Sequence, residues 1–462
     1  MLRVTLLGLA VLPLLGAALL RRRWAVYLLA LAIPLKTLDV AVAASHPFDL
    51  PELALLVVCG HFAVGVWNRR SLRLDRSTTV AYAFAFAVVA LLTVLSLAVR
   101  PANVLVHPYD VATGFGAFEL ARLSFTSTNV TQLFLRWFVV GGAVVLALTM
   151  TRREVRVVTR WVVLSAVLVG LFGVAYQASV LLDAGLADAL HLLGFRRFPA
   201  SPSVVGPLPR MYSFTGEPGA TASYLLYALA IVTPLALSNR ANDVFRRGEA
   251  VVAGVVLFVL LVLTTGTTGY GGFAVFVAVL VGTTLVVETV PTRRVLALSV
   301  AGVVVSVVGG VALLVVSGVD VTSMLAYQLG KLTFSEGSGS LRVQYLRYAF
   351  ELVSVRPLLG LGVGTHQTTS LFGTILVETG VVGLALFVGY HLRAFRDCAM
   401  LETDSASDRP LAVALAVGGL TLFLTLLVAR SASALQLPWY WFAVALPLAY
   451  TGSAVRDSSR DS

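Results

Sequence analysis

Apolar runs of about twenty residues recur along the whole of this sequence, and they constrain the fold more than any other feature. One of them, TTVAYAFAFAVVALLTVLSLAV at 78–99, holds no charged residue. Wound as a helix rising about 1.5 Å per residue, a run of this length crosses the roughly 30 Å hydrocarbon layer of a bilayer. Such runs are expected as spans at 4–20, 24–44, 51–67, 78–99, 133–151, 157–183, 219–237, 250–265, 270–288, 295–317, 371–390, 411–428 and 434–452. Only 12% of the 462 residues are charged and 58% are hydrophobic, whereas a soluble domain is about 25% charged. The expected fold class is therefore an all-α integral membrane protein, a polytopic bundle of about 12–14 transmembrane helices.

The formal net charge is +11, but where the charge lies matters more than its total. Arginines gather in alternate connections between spans: Arg21, Arg22 and Arg23; Arg69, Arg70, Arg73 and Arg76; Arg152, Arg153, Arg156 and Arg160. The series continues with Arg240, Arg246 and Arg247, then Arg293 and Arg294, then Arg393, Arg396 and Arg409, and finally Arg456 and Arg460. An excess of Lys and Arg marks the cytoplasmic side. The basic balance thus reads as an orientation signal in a multi-pass plasma-membrane protein, N-terminus outside and C-terminus cytoplasmic, with no nucleic-acid partner. The first span carries its arginines after the apolar run, the reverse of a cleavable leader, so it is expected to be retained.

Cys59 is expected within a span and Cys398 in a cytoplasmic loop, which excludes a disulfide framework. The histidines at 46, 61, 107, 191, 366 and 391 are dispersed, with no metal-ligand spacing. No metal or cofactor is indicated.

Three outer connections are long. The first, Arg100–Gln132, holds the glycosylation sequon Asn129-Val130-Thr131, a triplet common by chance. The second, Asp183–Pro218, is rich in Pro and Gly and carries RMYSFTGEP together with Arg196 and Arg197. The third, 318–370, contains SLRVQYLRYAFELVSVRPLLGLGVGTH.

Within this third loop, Leu341–Val355 has helical spacing, and Pro357 with the glycines at 360, 362 and 364 stops it. On a helical wheel Gln344, Arg347, Glu351 and Ser354 share one side, with Arg347 and Glu351 an i, i+4 pair. Leu346, Ala349, Phe350 and Val353 lie opposite, as in an amphipathic helix at the membrane interface. Arg342 falls at the centre of the apolar side. There it either snorkels to water or points into a cavity, where its guanidinium meets an anion such as phosphate.

Arg210 precedes Tyr212, Glu217 and Pro218. Glu217 either caps the helix that Pro218 begins or presents a partly desolvated carboxylate suited to general-base work. Tyr212 reads as an interface aromatic. His366 directly follows GLGVGT, and its ordinary pKa near 6.5 suits it to share a hydroxyl proton. Glu378 lies inside an apolar run and is expected to be paired, as are charges in membrane spans generally; Lys36 and Arg136 also fall near or inside spans.

Four segments together resemble the O-antigen ligase and O-antigen polymerase family of membrane glycosyltransferases. They are RMYSFTGEPGATASYLL, LTTGTTGYGGFAVF, SLRVQYLRYAFELVSVRPLLGLGVGTH and SLFGTILVETGVVGLALF, in that order across 205–390. The resemblance implies a many-helix bundle with a large outer loop over a cavity. It implies transfer of a glycan from a polyprenyl-diphosphate carrier to a glycan, lipid or protein acceptor, without a metal or nucleotide sugar. By position, Arg210 and Arg342 match the family's phosphate-binding arginines, with Arg347 as a further diphosphate contact, and His366 matches its histidine. The sequence departs from the family in having Gln367 after the histidine, and Thr268 and Gly269 where many members carry Ser-Arg. Glu217 can therefore share or replace the role of base.

The expected organisation is N-terminal helices over 1–204, a ligase- or polymerase-like core over 205–390 with the outer loop 318–370, and a cytoplasmic loop, two helices and tail over 391–462. The competing reading is a transporter or flippase of lipid-linked oligosaccharides, for which Lys36 and Glu378 speak.

Overall fold

The computed structural model describes residues 2–4, 6–43, 46–69, 78–107, 120–192, 195, 204–205, 208–238, 243–264, 266–287, 297, 337–401, 408–430 and 432–458. All of the expected span 295–317 but residue 297, together with Arg196, Arg197 and the first part of the third loop, lies outside these residues.

Helices dominate: α1 (Leu6–Leu20), α2 (Arg22–Ala32), α3 (Leu50–Arg69), α4 (Thr78–Val99), α5 (Ser127–Thr149), α6 (Arg152–Leu181) and the short α7 (Leu186–Leu192). After them come α8 (Pro218–Leu237), α9 (Arg247–Leu263), α10 (Thr267–Val286), α11 (Gly337–Val353), α12 (Leu371–Ala399), α13 (Asp408–Ala429) and α14 (Pro438–Ser458). Among the described residues eight helices, α3, α4, α5, α6, α8, α10, α12 and α13, are long and apolar enough to cross a membrane.

The expected span 24–44 is not one helix. It divides into α2, a 3-10 turn at Ile33–Leu35, and a strand Asp39–Ala43. Pro34 lacks an amide donor and disfavours helical geometry in the residue before it. The following DVAVA has the alternating β-branched character of a strand. It lies between Leu2–Val4 and His46–Asp49 in an antiparallel three-stranded sheet.

At the centre stands α8, packed against α6, α9, α10 and α13. Nearly all of its side chains are buried, Tyr224 and Tyr227 completely. A helix apolar all round belongs in the interior rather than at the lipid boundary. By contrast α4 turns one edge outward, with Phe84, Val88, Leu92, Leu95 and Val99 exposed.

The glycine run after α11 has a specific task. α12 breaks at Gly380, whose backbone (φ 66°, ψ −171°) is not helical. The segment 357–364 fills the break. Leu361 and Gly362 N–H donate to the carbonyls of Val377 and Glu378 at 2.8 and 3.0 Å, and Val381 N–H donates to Pro357 O at 2.9 Å. Every backbone polar group in an apolar interior needs such a partner. Gly360, Gly362 and Gly364 have φ of 66°, 115° and 77°, a region that only glycine enters freely. A Cβ on Gly360 would lie 2.5 Å from Val377 O, so the close approach also requires glycine.

Glu378 sits at this break and is paired, as expected for a carboxylate in an apolar run. Arg136 of α5 donates to its Oε2 at 3.1 Å and Gly364 N–H to its Oε1 at 2.9 Å. Both side chains are buried.

The sequon of the first loop is structural. Asn129 is buried in the first turn of α5; its Oδ1 accepts from Thr126 N–H at 2.7 Å and its Nδ2 donates to Val363 O at 2.8 Å. An amide nitrogen held this way is not a glycan acceptor. Cys398 lies not in a loop but in the last turn of α12, buried, and both cysteines are free thiols.

Candidate functional site: three arginines above the central helix

One end of the bundle, where α6 and α9 finish and α8 begins, carries a rigid turn over residues 210–217. Gln177, near the end of α6, donates to Pro209 O at 2.9 Å. Met211 is fully buried, Ser213 Oγ donates to Val169 O at 2.7 Å, and Thr37 donates its amide and hydroxyl to Phe214 O. Gly216, with φ 94°, closes the turn, its N–H donating to Ser213 O at 2.8 Å. Pro218 then occupies the first helical position, where its missing donor costs nothing. The turn fixes Arg210 and Glu217 relative to the helix.

Glu217 occupies the capping position of α8, but its side chain does not cap the helix. Its Oε2 instead accepts a hydrogen bond from Nη1 of Arg430 at 2.7 Å. Arg430 follows directly after α13, where free carbonyls at the helix end favour a cation. The expectation of a desolvated carboxylate is not met: 73% of the Glu217 side chain is exposed, against 12% for Arg430. Gly219 and Thr268 complete the neighbourhood. A Cβ on Gly219 would sit 3.4 Å from Thr268 Oγ1 and 3.8 Å from the guanidinium carbon of Arg430. The TTGTTGYGG turn, at the start of α10, therefore reaches the same place.

Arg342 arrives from α11, which packs on α12. Its inward face is formed by Arg342, Tyr345, Ala349 and Leu352, with Ala349 fully buried; Phe350, on the apolar side of the wheel, is exposed. Of its two possible orientations, Arg342 takes the inward one. Burial lowers its pKa below the usual guanidinium value, and the positive charges of Arg430 and Arg210 lower it further. Like charges crowded in a partly dry site have this effect. The Nε atoms of Arg210 and Arg430 are buried without a hydrogen-bond partner. Three guanidinium groups from three distant segments are thus near enough for their charges to interact, and one of them, Arg430, pairs with a carboxylate. The arrangement suits an anion bearing several acceptor oxygens.

Arg347 is elsewhere. It lies on the outward face of α11, 83% exposed, 3.6 Å from Glu351, and takes no part in the cluster. Tyr212 is half-buried and packs edge-on against Tyr176 at 6.2 Å.

His366 is fully buried. Its Nδ1 accepts the backbone N–H of His107 at 3.1 Å, and its ring packs against those of His107 and Tyr348. Burial, with the neighbouring His107, pushes its pKa down to about 3, so the ring is neutral at physiological pH. With the Nδ1 lone pair engaged, the proton resides on Nε2, which is buried without a partner. In this geometry the ring presents an N–H donor at Nε2, while its Nδ1 lone pair is engaged by His107.

Arg430 is the residue that sequence reading overlooks. Its signal is an arginine in LLVARSAS on the side where the alternation of connections places few. No protein-family model matches this sequence, and no curated protein is detectably similar to it.

Proposed function

We propose that this protein is a membrane glycosyltransferase that moves a glycan from a polyprenyl-diphosphate carrier to an acceptor hydroxyl, as a surface-polysaccharide polymerase or ligase. The observation that carries the reading is that Arg210 and Arg430, the latter paired with Glu217, bear electrostatically on the partly buried Arg342 at one end of an apolar bundle. A diphosphate leaving group gathers negative charge as the glycosidic bond breaks. Preorganised cationic donors in a site partly shielded from water lower the cost of that charge, each donor being worth roughly 10²–10³ in rate.

The transfer balances simply. The acceptor oxygen bonds to the anomeric carbon, the carbon–oxygen bond to the diphosphate breaks, and its electron pair leaves on the phosphate. The proton of the acceptor hydroxyl passes to a base, for which Glu217 is the carboxylate at hand beside the arginines. The bilayer supplies the carrier's isoprenoid tail laterally, and the extracytoplasmic side is the side of reaction. The four sequence segments that resemble O-antigen ligases and polymerases support the reading; Arg210, Thr268 and Arg342 lie in three of them.

The helix break at Gly380 favours a second reading, a flippase of lipid-linked oligosaccharides, because transporters bind their cargo at broken helices. Here the break is filled by the backbone of 357–364 and its charged pair is buried, so transfer is preferred. Purified protein with a lipid-linked oligosaccharide separates the two. Longer or transferred glycan is the expected product, and Arg210→Ala and Arg342→Ala each reduce it about 100-fold or more. Full transfer by both variants, normally inserted, would falsify the proposal, and redistribution of the lipid across a vesicle without transfer would establish the flippase.

A further inference from the structure

Glu217 stands where an incoming anion has to go. Its carboxylate holds Arg430, one of the two cations whose charges bear on Arg342. The partners of this ion pair are unlike. Arg430 is anchored: its side chain is mostly buried and its Nε is enclosed without a partner. Glu217 is mostly exposed and lies on an extended residue just outside α8, and its side chain makes no capping hydrogen bond to that helix. An anchored cation held by an exposed carboxylate forms a pair whose anionic member can leave without disturbing the helix behind it.

Resting on the diphosphate reading above, we propose that Glu217 is a displaceable internal counter-ion. It occupies Arg430 while the site is empty, and it is expelled when the diphosphate of the donor binds there. The described members of the site carry three positive charges and one negative, so an anion competes with the carboxylate for the same donors. A diphosphate offers more charge and more acceptor oxygens than a carboxylate, and forks to several guanidinium groups at once. The exchange has a chemical consequence. While Glu217 is bound to Arg430 its Oε2 faces the guanidinium; once expelled, that oxygen can accept the proton of the acceptor hydroxyl. The base is deployed only when the donor is in place, which restrains idle reaction.

A brace and a counter-ion predict opposite signs, and inorganic pyrophosphate is the probe that separates them. Its binding to the purified full-length protein in detergent is measured by calorimetry at fixed low salt. The expected result for Glu217→Gln is a Kd about three- to tenfold lower than wild type, the range released when a partly exposed charged pair ceases to compete. Glu217→Asp keeps the charge on a shorter arm and shifts Kd the same way by less, which also serves if the glutamine variant folds poorly. In an Arg430→Gln background the substitution of Glu217 has no further effect, since the interaction it removes is already absent. An unchanged or raised Kd in both Glu217 variants overturns the counter-ion. The anion site itself has a separate control: wild-type affinity in Arg210→Ala and Arg342→Ala sinks the diphosphate reading. Loss in those two with no gain at Glu217 sinks only the counter-ion. Binding that appears only in Glu217→Gln supports it, whereas binding by neither protein removes both.

Discussion

Arginines crowd at two ends of this bundle, and the two crowds are built on opposite principles. Where α6 and α13 begin, Arg152 and Arg156 converge on Asp408 at 3.0 and 2.6 Å, and Arg156 also reaches Asp243 at 3.1 Å. Arg22 pairs there with Glu154 at 3.1 Å, and Tyr450 donates to Asp408 O at 3.2 Å. Each of these three cations has an acid, and the set ties five segments together. At the opposite end Glu217 pairs with Arg430, and Arg342 feels the two like charges of Arg430 and Arg210. A neutralised cluster is what stability selects. A cluster left with excess positive charge costs folding energy and makes sense where a ligand supplies the missing anion.

The largest effect expected on this comparison comes from the neutralised end. Asp408 is buried, so Asp408→Asn leaves Arg152 and Arg156 without their shared carboxylate charge, Arg156 keeping Asp243. A loss of about 3 kcal/mol is expected, near the lower end for breaking a buried pair, seen as a fall in the thermal midpoint in detergent. Pyrophosphate affinity at the far end is unchanged; if it falls in proportion, the two ends are not independent.

A smaller effect of opposite sign is expected at the cationic end. Arg342→Gln removes a charge that faces two others, so it abolishes transfer while raising stability by about 0.5–1 kcal/mol, as changes at strained functional sites commonly do. A thermal midpoint below wild type would show that Arg342 is a structural residue. The smallest effect belongs to Arg347, on the same helix but facing water. Arg347→Ala is expected to change stability by less than about 0.5 kcal/mol, as for exposed pairs, and transfer by less than twofold. A large loss of transfer would mean that the site extends over the outer face of α11.

How much was legible in advance differs between residues for physical reasons. The apolar runs and the helix after residue 337 were readable because burial imposes a local period on the sequence. Arg342 betrayed itself by falling on the apolar side of its own helix. The glycines of 357–364 announced a turn, but not that this turn mends a broken helix, because the break at Gly380 and its mending segment are partners only in space. The same is true of Asn129, whose triplet advertises a glycan while its amide is tied to Val363 O.

His366 and Glu217 show the limit most clearly. Residue type suggested a proton acceptor in both cases, yet availability depends on neighbours. The backbone N–H of His107, 259 residues away in sequence, takes the histidine's lone pair, and Arg430, 213 residues away, takes the carboxylate.

By itself the sequence determined a helical chain made largely of bilayer-length apolar segments, because transfer free energy is additive and local. Tertiary structure alone decided which charges meet. Ion pairing acts over a few ångströms, and only the packing of α13 against α8 brings Arg430 to Glu217, with Arg210 and Arg430 both near enough to Arg342 for their charges to bear on it.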